Sequence, residues 1–214
     1  MKRVLKWGLG LALAAVALIV LLFLSRDNLL RIATERRIRS ATGLEARIGK
    51  YSSSVSSPGL SIQDFKLYNT PEFGGTPLLD VPEFHLELDP AGLTQHRLHI
   101  TLLRINLAEL DVVRNAAGQT NIFSLMNQVG PNGVKDDNLR QELGDFQFDG
   151  IDLLDLSVGK VRYLDLQNAR NNRDVPVNLQ NQKFPHVKSE ADLTVILVML
   201  WLRSGGALPL APAK

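Results

Sequence analysis

"GLSIQDFKLYN", residues 59–69, carries apolar side chains first at even positions, Leu60 and Ile62, and then at odd ones, Phe65 and Leu67. A period of two is that of a half-buried strand, and the change of parity at Gln63 and Asp64 predicts a bulge or a tight turn there. The pattern recurs downstream. "EFHLELDP" (83–90) sets Phe84, Leu86 and Leu88 against Glu83, His85, Glu87 and Asp89. "RLHITLLRINLAELDVVR" (97–114) runs Leu98, Ile100 and Leu102, then changes register to Leu103, Ile105 and Leu107. "DFQFDGIDLLDLSVGKVRYLDLQN" (145–168) pairs Phe146 with Phe148, Ile151 with Leu153, Leu156 with Val158, and Val161 with Tyr163. Strands that alternate in this way belong to a sheet with one wet face, and their short connections predict antiparallel pairing throughout.

Upstream the period is helical. Every residue from Trp7 to Leu24 is apolar or glycine, with Lys2, Arg3 and Lys6 before the run and Arg26 after it. Eighteen residues of helix rise about 27 Å, close to the thickness of a bilayer core. The run exceeds a signal-peptide core, and "FLSRDN" lacks a small-x-small cleavage pattern, so the reading is an uncleaved anchor rather than a removed signal. Positive charge on both flanks leaves its orientation open. "DNLLRIATERRIRSATG" (27–43) continues as a helix that Gly43 closes. Its arginines Arg31, Arg36, Arg37 and Arg39 are placed to meet lipid head groups. With a formal charge of +2, nucleic acid is not an expected partner.

Between the strands, helical signals fall at 121–129 and 136–143, separated by "GPNG". "VVRNAAGQTNIFSLM" (112–126) therefore reads as a strand end, a glycine turn and a short helix lying on the sheet. "NARNNRDVPVNLQNQKFPH" (168–186) is polar and turn-prone. Residues 193–202, "LTVILVMLWL", are too few to span a bilayer as a helix; they fit a buried strand or a short helix, and Asp192 as N-cap with the stop at "RSGG" favours the helix. The segments are thus 1–26 (basic start and anchor), 27–43 (juxtamembrane helix), 44–190 (β domain), 191–206 (apolar segment) and 207–214 (tail).

No nucleophile elbow, phosphate loop or paired-histidine metal signature is present, and the chain has no cysteine. His85 and His99 could face one another across paired strands beside Glu87, but no ligand spacing supports a metal there. Asp149, Asp152 and Asp155 read as solvated edge residues rather than an acid and base pair. The outstanding feature is instead the area of apolar sheet face relative to its cover.

The order of these segments resembles the N-terminal region of the AsmA family of bacterial envelope proteins. The resemblance rests on Gly59, Leu60, Ile62, Leu67, Asn69, Pro71, Phe73, Leu79, Val81, Leu86 and Leu88, then on Arg114, Gly118, Asn121, Ile122 and Leu125, and on "GKVRYLD" at 159–165. It covers about residues 1–166. It implies a mainly β fold with α: an N-terminal transmembrane helix followed by a curved antiparallel β-groove with a few short helices, of the chorein-like kind that conducts lipid. It also implies an inner-membrane anchor with the bulk of the chain in the periplasm. The expected function is non-enzymatic and without cofactor or metal: binding or moving phospholipid, or supporting outer-membrane assembly, with other envelope proteins as further partners. The groove residues expected to solvate acyl chains are Leu60, Ile62, Phe84, Leu86, Leu88, Ile100, Leu102, Phe146 and Phe148. The alternative is an envelope scaffold that keeps the fold without transport, which the short chain favours, since a groove bridging two membranes needs many more strands.

Overall fold

The computed structural model describes residues 27–54, 58–129 and 146–205. The expected anchor (1–26), the helical signal at 136–143 and the tail lie outside these residues. No helix among the described residues is long and apolar enough to cross a membrane.

Helix α1 occupies residues 27–42 and ends at Gly43, whose φ of 72° and hydrogen bond to the Arg39 carbonyl make the glycine cap expected there. Six strands follow: β1 (Glu45–Ser54), β2 (Gly59–Tyr68), β3 (Pro77–Leu88), β4 (Arg97–Arg114), β5 (Gln147–Asp165) and β6 (Arg173–Val187). They form one sheet in the order of the sequence. Helix α2 (Pro90–Thr94) joins β3 to β4, α3 (Asn121–Val129) lies between β4 and β5, and α4 (Glu190–Arg203) follows β6.

The sheet is mixed, which corrects the expectation of antiparallel pairing throughout. Strands β4 and β5 run parallel from the Arg97–Gln147 pair to the Arg114–Asp165 pair. A parallel pair needs a connection of a dozen or more residues, and residues 115–146 supply one. A second correction concerns the polar, turn-prone segment. Residues 173–187 form the edge strand β6, whose Pro176 and Pro185 lack an N–H and whose Asn178, Asn181 and His186 have positive φ. Proline and kinks are tolerated at an edge, where they also discourage pairing with another chain. At the other edge, helix α1 provides the cover. Arg31 Nη1 donates to the Ile48 carbonyl at 3.0 Å, and Ile48 N–H donates to Glu35 Oε1 at 2.7 Å.

The parity change at Asp64 has counterparts at the same level of the sheet, whereas the one at Leu102 and Leu103 lies further down β4, opposite Glu87 and Leu86. Strand β2 stays in register with β3 across Asp64, whose φ is 54° and which stands between the pairs Gln63–Glu83 and Phe65–Val81, opposite Pro82. The expected bulge or turn is therefore a kink inside one unbroken strand. Across the sheet the same level passes through Leu107, Val158 and Leu179, next to Ala108, Gly159 and Asn178. Because each strand shifts its alternation there, one face stays apolar on both sides of the kink. Below it run Leu60–Leu86–Leu103–Leu154–Phe184 and Ile62–Phe84–Ile105–Leu156, and above it runs Leu67–Leu79–Leu110–Val161–Val175. At Gly159 a Cβ would lie 2.4 Å from the Ala108 carbonyl oxygen. Gly159→Ala must therefore push β4 and β5 apart, and we expect a loss of about 2 kcal/mol. Thermal unfolding measures it; an unchanged midpoint would refute this close approach.

Helix α3 lays Ile122 and Leu125 over Leu67, Leu79 and Leu110, and helix α4 buries Ile196 and Leu200 in the cluster that contains Ile151, Leu154 and Val187. Residues 190–203 are thus helical, the outcome that the sequence favoured. The N-cap is Ser189 rather than Asp192, which closes the capping box from the third position.

Candidate functional site: an apolar strip at one end of the sheet

The two helices cover the apolar face unequally. Leu60, Ile62, Phe84 and Leu86, on the β2–β3 half below the kink, are all only half-buried. Tyr51 of β1 pairs with Ile62 and extends the strip, and burial pushes its phenol above the ordinary value. A depression of 280 Å³ at this end of β1–β3 is lined by Leu60 and Leu86 but also by Ser61, His85 and Glu87, so it is not confined to the apolar face. This is also the end from which α1 starts. Ser53, the pairing partner of Leu60, donates to Asp27 at 3.4 Å. Asp27, the first described residue, therefore stands beside this end of the strip.

Of the other expected groove residues, Leu88 and the buried Ile100 pair with each other on the same face. Phe148 pairs with Leu98 at the end of β5 and is 49% exposed, while Phe146 stacks at a tilt on His96, with centroids 5.4 Å apart. Leu102 is not on the strip. It stands opposite Glu87 and Leu153, and Leu103 takes the place opposite Leu86. The sequence signal was the adjacent Leu102 and Leu103, which leave the register ambiguous by one residue. Leu103, Ile105 and Tyr51 belong to this face and were missed. Arg31 is committed to the Ile48 carbonyl. Arg36, Arg37 and Arg39 lie about 13–18 Å further along the helix from Asp27.

The opposite face is charged, and its charges are paired across strands. Lys66 meets Asp80 at 2.8 Å, and Lys160 meets Glu109 at 2.7 Å and Asp174 at 3.4 Å. Arg104 bridges Glu83 and Asp155. Asp155 is 6% exposed on a central strand, so it is a buried partner of Arg104 rather than a solvated edge residue. Arg162 grips Asp111 with two bonds, of 3.0 and 2.5 Å, and also reaches Glu109.

The histidines do not face one another. His85 is paired in register with Arg104 and bonds Glu87 at 2.9 Å. His99 lies near Asp149 and hydrogen-bonds Asp152 at 3.1 Å, a bond that raises its pKa above the ordinary imidazole value. Among the described residues no three His, Cys, Asp or Glu side chains are grouped to hold a metal.

At the top of the sheet Asn121, 4% exposed, joins the segments that carry the resemblance. Its Oδ1 accepts from Val113 N–H and Ile122 N–H, and its Nδ2 donates to the Asp111 carbonyl and to Asn69 Oδ1. The arrangement is structural, and it explains why a strand end, a glycine turn and a short helix sit together in residues 112–126.

No curated protein and no solved structure matches the chain. The sequence profile of the AsmA family matches residues 1–194, which is most of its length. The chain belongs to the AsmA family.

Proposed function

We propose that this protein is a membrane-anchored, non-enzymatic lipid binder of the bacterial envelope, held in the inner membrane with its β domain in the periplasm. Phospholipid acyl chains would lie on the strip formed by Leu60, Ile62, Phe84 and Leu86. The observation that carries this reading is the position of the strip. It is apolar and half-open, and it ends beside Asp27, which follows the apolar run of residues 7–24 closely in sequence. An acyl chain leaving a bilayer at that point meets apolar surface at once, and contact removes both from water. Family membership supports an envelope role.

A photoreactive residue placed at Ile62 or Phe84 of the full chain in phospholipid membranes tests this reading, with Lys183 on the other face as control. Lipid adducts at 62 and 84 but not at 183 are expected. Equal labelling at all three, or none at any, would count against it. In an otherwise identical probe chain labelled at Phe84, Ile62→Asp should lower adduct yield roughly tenfold, the worth of one buried aliphatic side chain, while unfolding remains cooperative.

A second reading, an envelope scaffold, is favoured by helix α4. Val195, Val198 and Leu202 fall at i, i+3 and i+7 and are exposed on its outer side. Protein adducts from a probe at Val198, with no lipid at 62 or 84, would support the scaffold.

A further inference from the structure

The face opposite the apolar strip carries a notch of 310 Å³ at the level of the kink, and no lipid role uses it. Its lining includes Asn106 and Ala108 of β4, Ser157 and Gly159 of β5, and Asn178 and Gln180 of β6. The notch exists because its floor is small. Gly159 has no side chain and, with the Ala108 carbonyl so near, has no room for one. On β6, Asn178 and its neighbour Asn181 hold φ near +49° and +45°, and the kinked strand forms one wall.

The chemistry of the rim is uniform. Among the described residues, the side-chain amides of Asn106, Asn178 and Gln180 have no hydrogen-bond partner, while Ser157 is tied to Asn181. The charged rows on either side are already neutralised: Arg104 by Glu83 and Asp155 below, Lys160 by Glu109 and Asp174 above. No charged side chain is among the residues that line the notch. An amide offers both a donor and an acceptor, as a hydroxyl does, so three unengaged amides around a neutral hollow match a neutral ligand rich in hydroxyls.

The geometry points to a binding site for one sugar unit of a neutral glycan in this notch, with Asn106, Asn178 and Gln180 as its hydrogen-bonding residues. The site is separated from the lipid strip by the thickness of the sheet, and it does not depend on the lipid reading. The glycan is either free or carried on a larger envelope polymer or lipid, and the chemistry of recognition is common to both.

Saturation-transfer NMR and calorimetric titration of the full chain in detergent, with maltotriose and with tri-N-acetylchitotriose, test the proposal. Binding of at least one trisaccharide is expected. Asn178→Gly keeps a backbone that tolerates positive φ and removes only the amide, and Gln180→Ala removes the next one. Each should weaken binding about fivefold, and together about twentyfold or more. An immobilised polymer of the sugar that binds, retained by the parent chain and not by the double variant, would place the source on a carrier; competition by free trisaccharide alone would place it in solution. The absence of transfer to both sugars, or binding unchanged in the double variant, would overturn the proposal.

Discussion

Arg162→Met is expected to destabilise the protein by about 3–5 kcal/mol at neutral pH, with a deficit that shrinks as the solution is acidified. Asp111 is 1% exposed, and Arg162 is the cation that holds it, through two hydrogen bonds. Burial already pushes the Asp111 carboxyl above the ordinary range, and the neighbouring Glu109 adds to that, while Arg162 pulls the other way. Without the guanidinium the folded state must either bury an unpaired carboxylate or protonate it, so the folded pKa rises further. A carboxyl whose pKa is raised by folding favours the folded state below its unfolded value, near 3.9, and withdraws that support as pH rises through the folded value. The difference between variant and parent should therefore be largest at pH 7–8 and diminish toward pH 5. Urea midpoints across that range measure it. A deficit independent of pH would mean that Arg162 matters for packing and not for charge.

The sheet was legible in the sequence where side chains alternate and connections are short, as in β2 and β3. It was less legible where a tertiary constraint overrides local pattern. Strand β6 carries Pro176 and Pro185, and only its place at the edge makes them compatible with a strand. The parallel pairing of β4 and β5 has no local signature, since both strands alternate as antiparallel ones do. The length of residues 115–146 was the only clue. Parity alone cannot fix a register next to a bulge, so the sequence puts Leu102 on the strip, whereas the register shifts between Glu87 and Leu88. The burial of Asp155 has no local signature, since neither its place on an interior strand nor its partner Arg104, 51 residues away, can be seen locally.

The two faces divide the work of the sheet. Paired charges on one side add cross-strand preference for a single register, and this leaves the other side free to remain partly uncovered. Register specified on the polar face does not depend on the strip being filled. That is the condition under which substitutions such as Ile62→Asp test binding without testing folding.

Asn121→Ala is expected to cost about 3 kcal/mol, more than the deletion of an ordinary surface amide, because of where β3 ends. Strand β3 pairs with β4 as far as Leu79–Leu110. Beyond that point the Asn121 side chain takes up the Asp111 carbonyl at 2.7 Å and the Val113 N–H at 3.0 Å, as a neighbouring strand would. Alanine leaves both backbone groups buried and unpaired, along with Asn69 Oδ1, and each orphan costs about 1 kcal/mol or more. Asn121→Asp should be at least as damaging at neutral pH. Its second oxygen would face the Asp111 carbonyl and Asn69 Oδ1, replacing two donated bonds by repulsion between acceptors. Asn69→Ala removes only one of the four bonds and should cost about 1 kcal/mol. Denaturation of the three variants gives the order, and hydrogen exchange at the Val113 amide locates it, since that amide should lose protection in Asn121→Ala before the amides of β2 do. If Asn121→Ala proved as stable as the parent, with the Val113 amide still protected, the side chain would not be standing in for a strand.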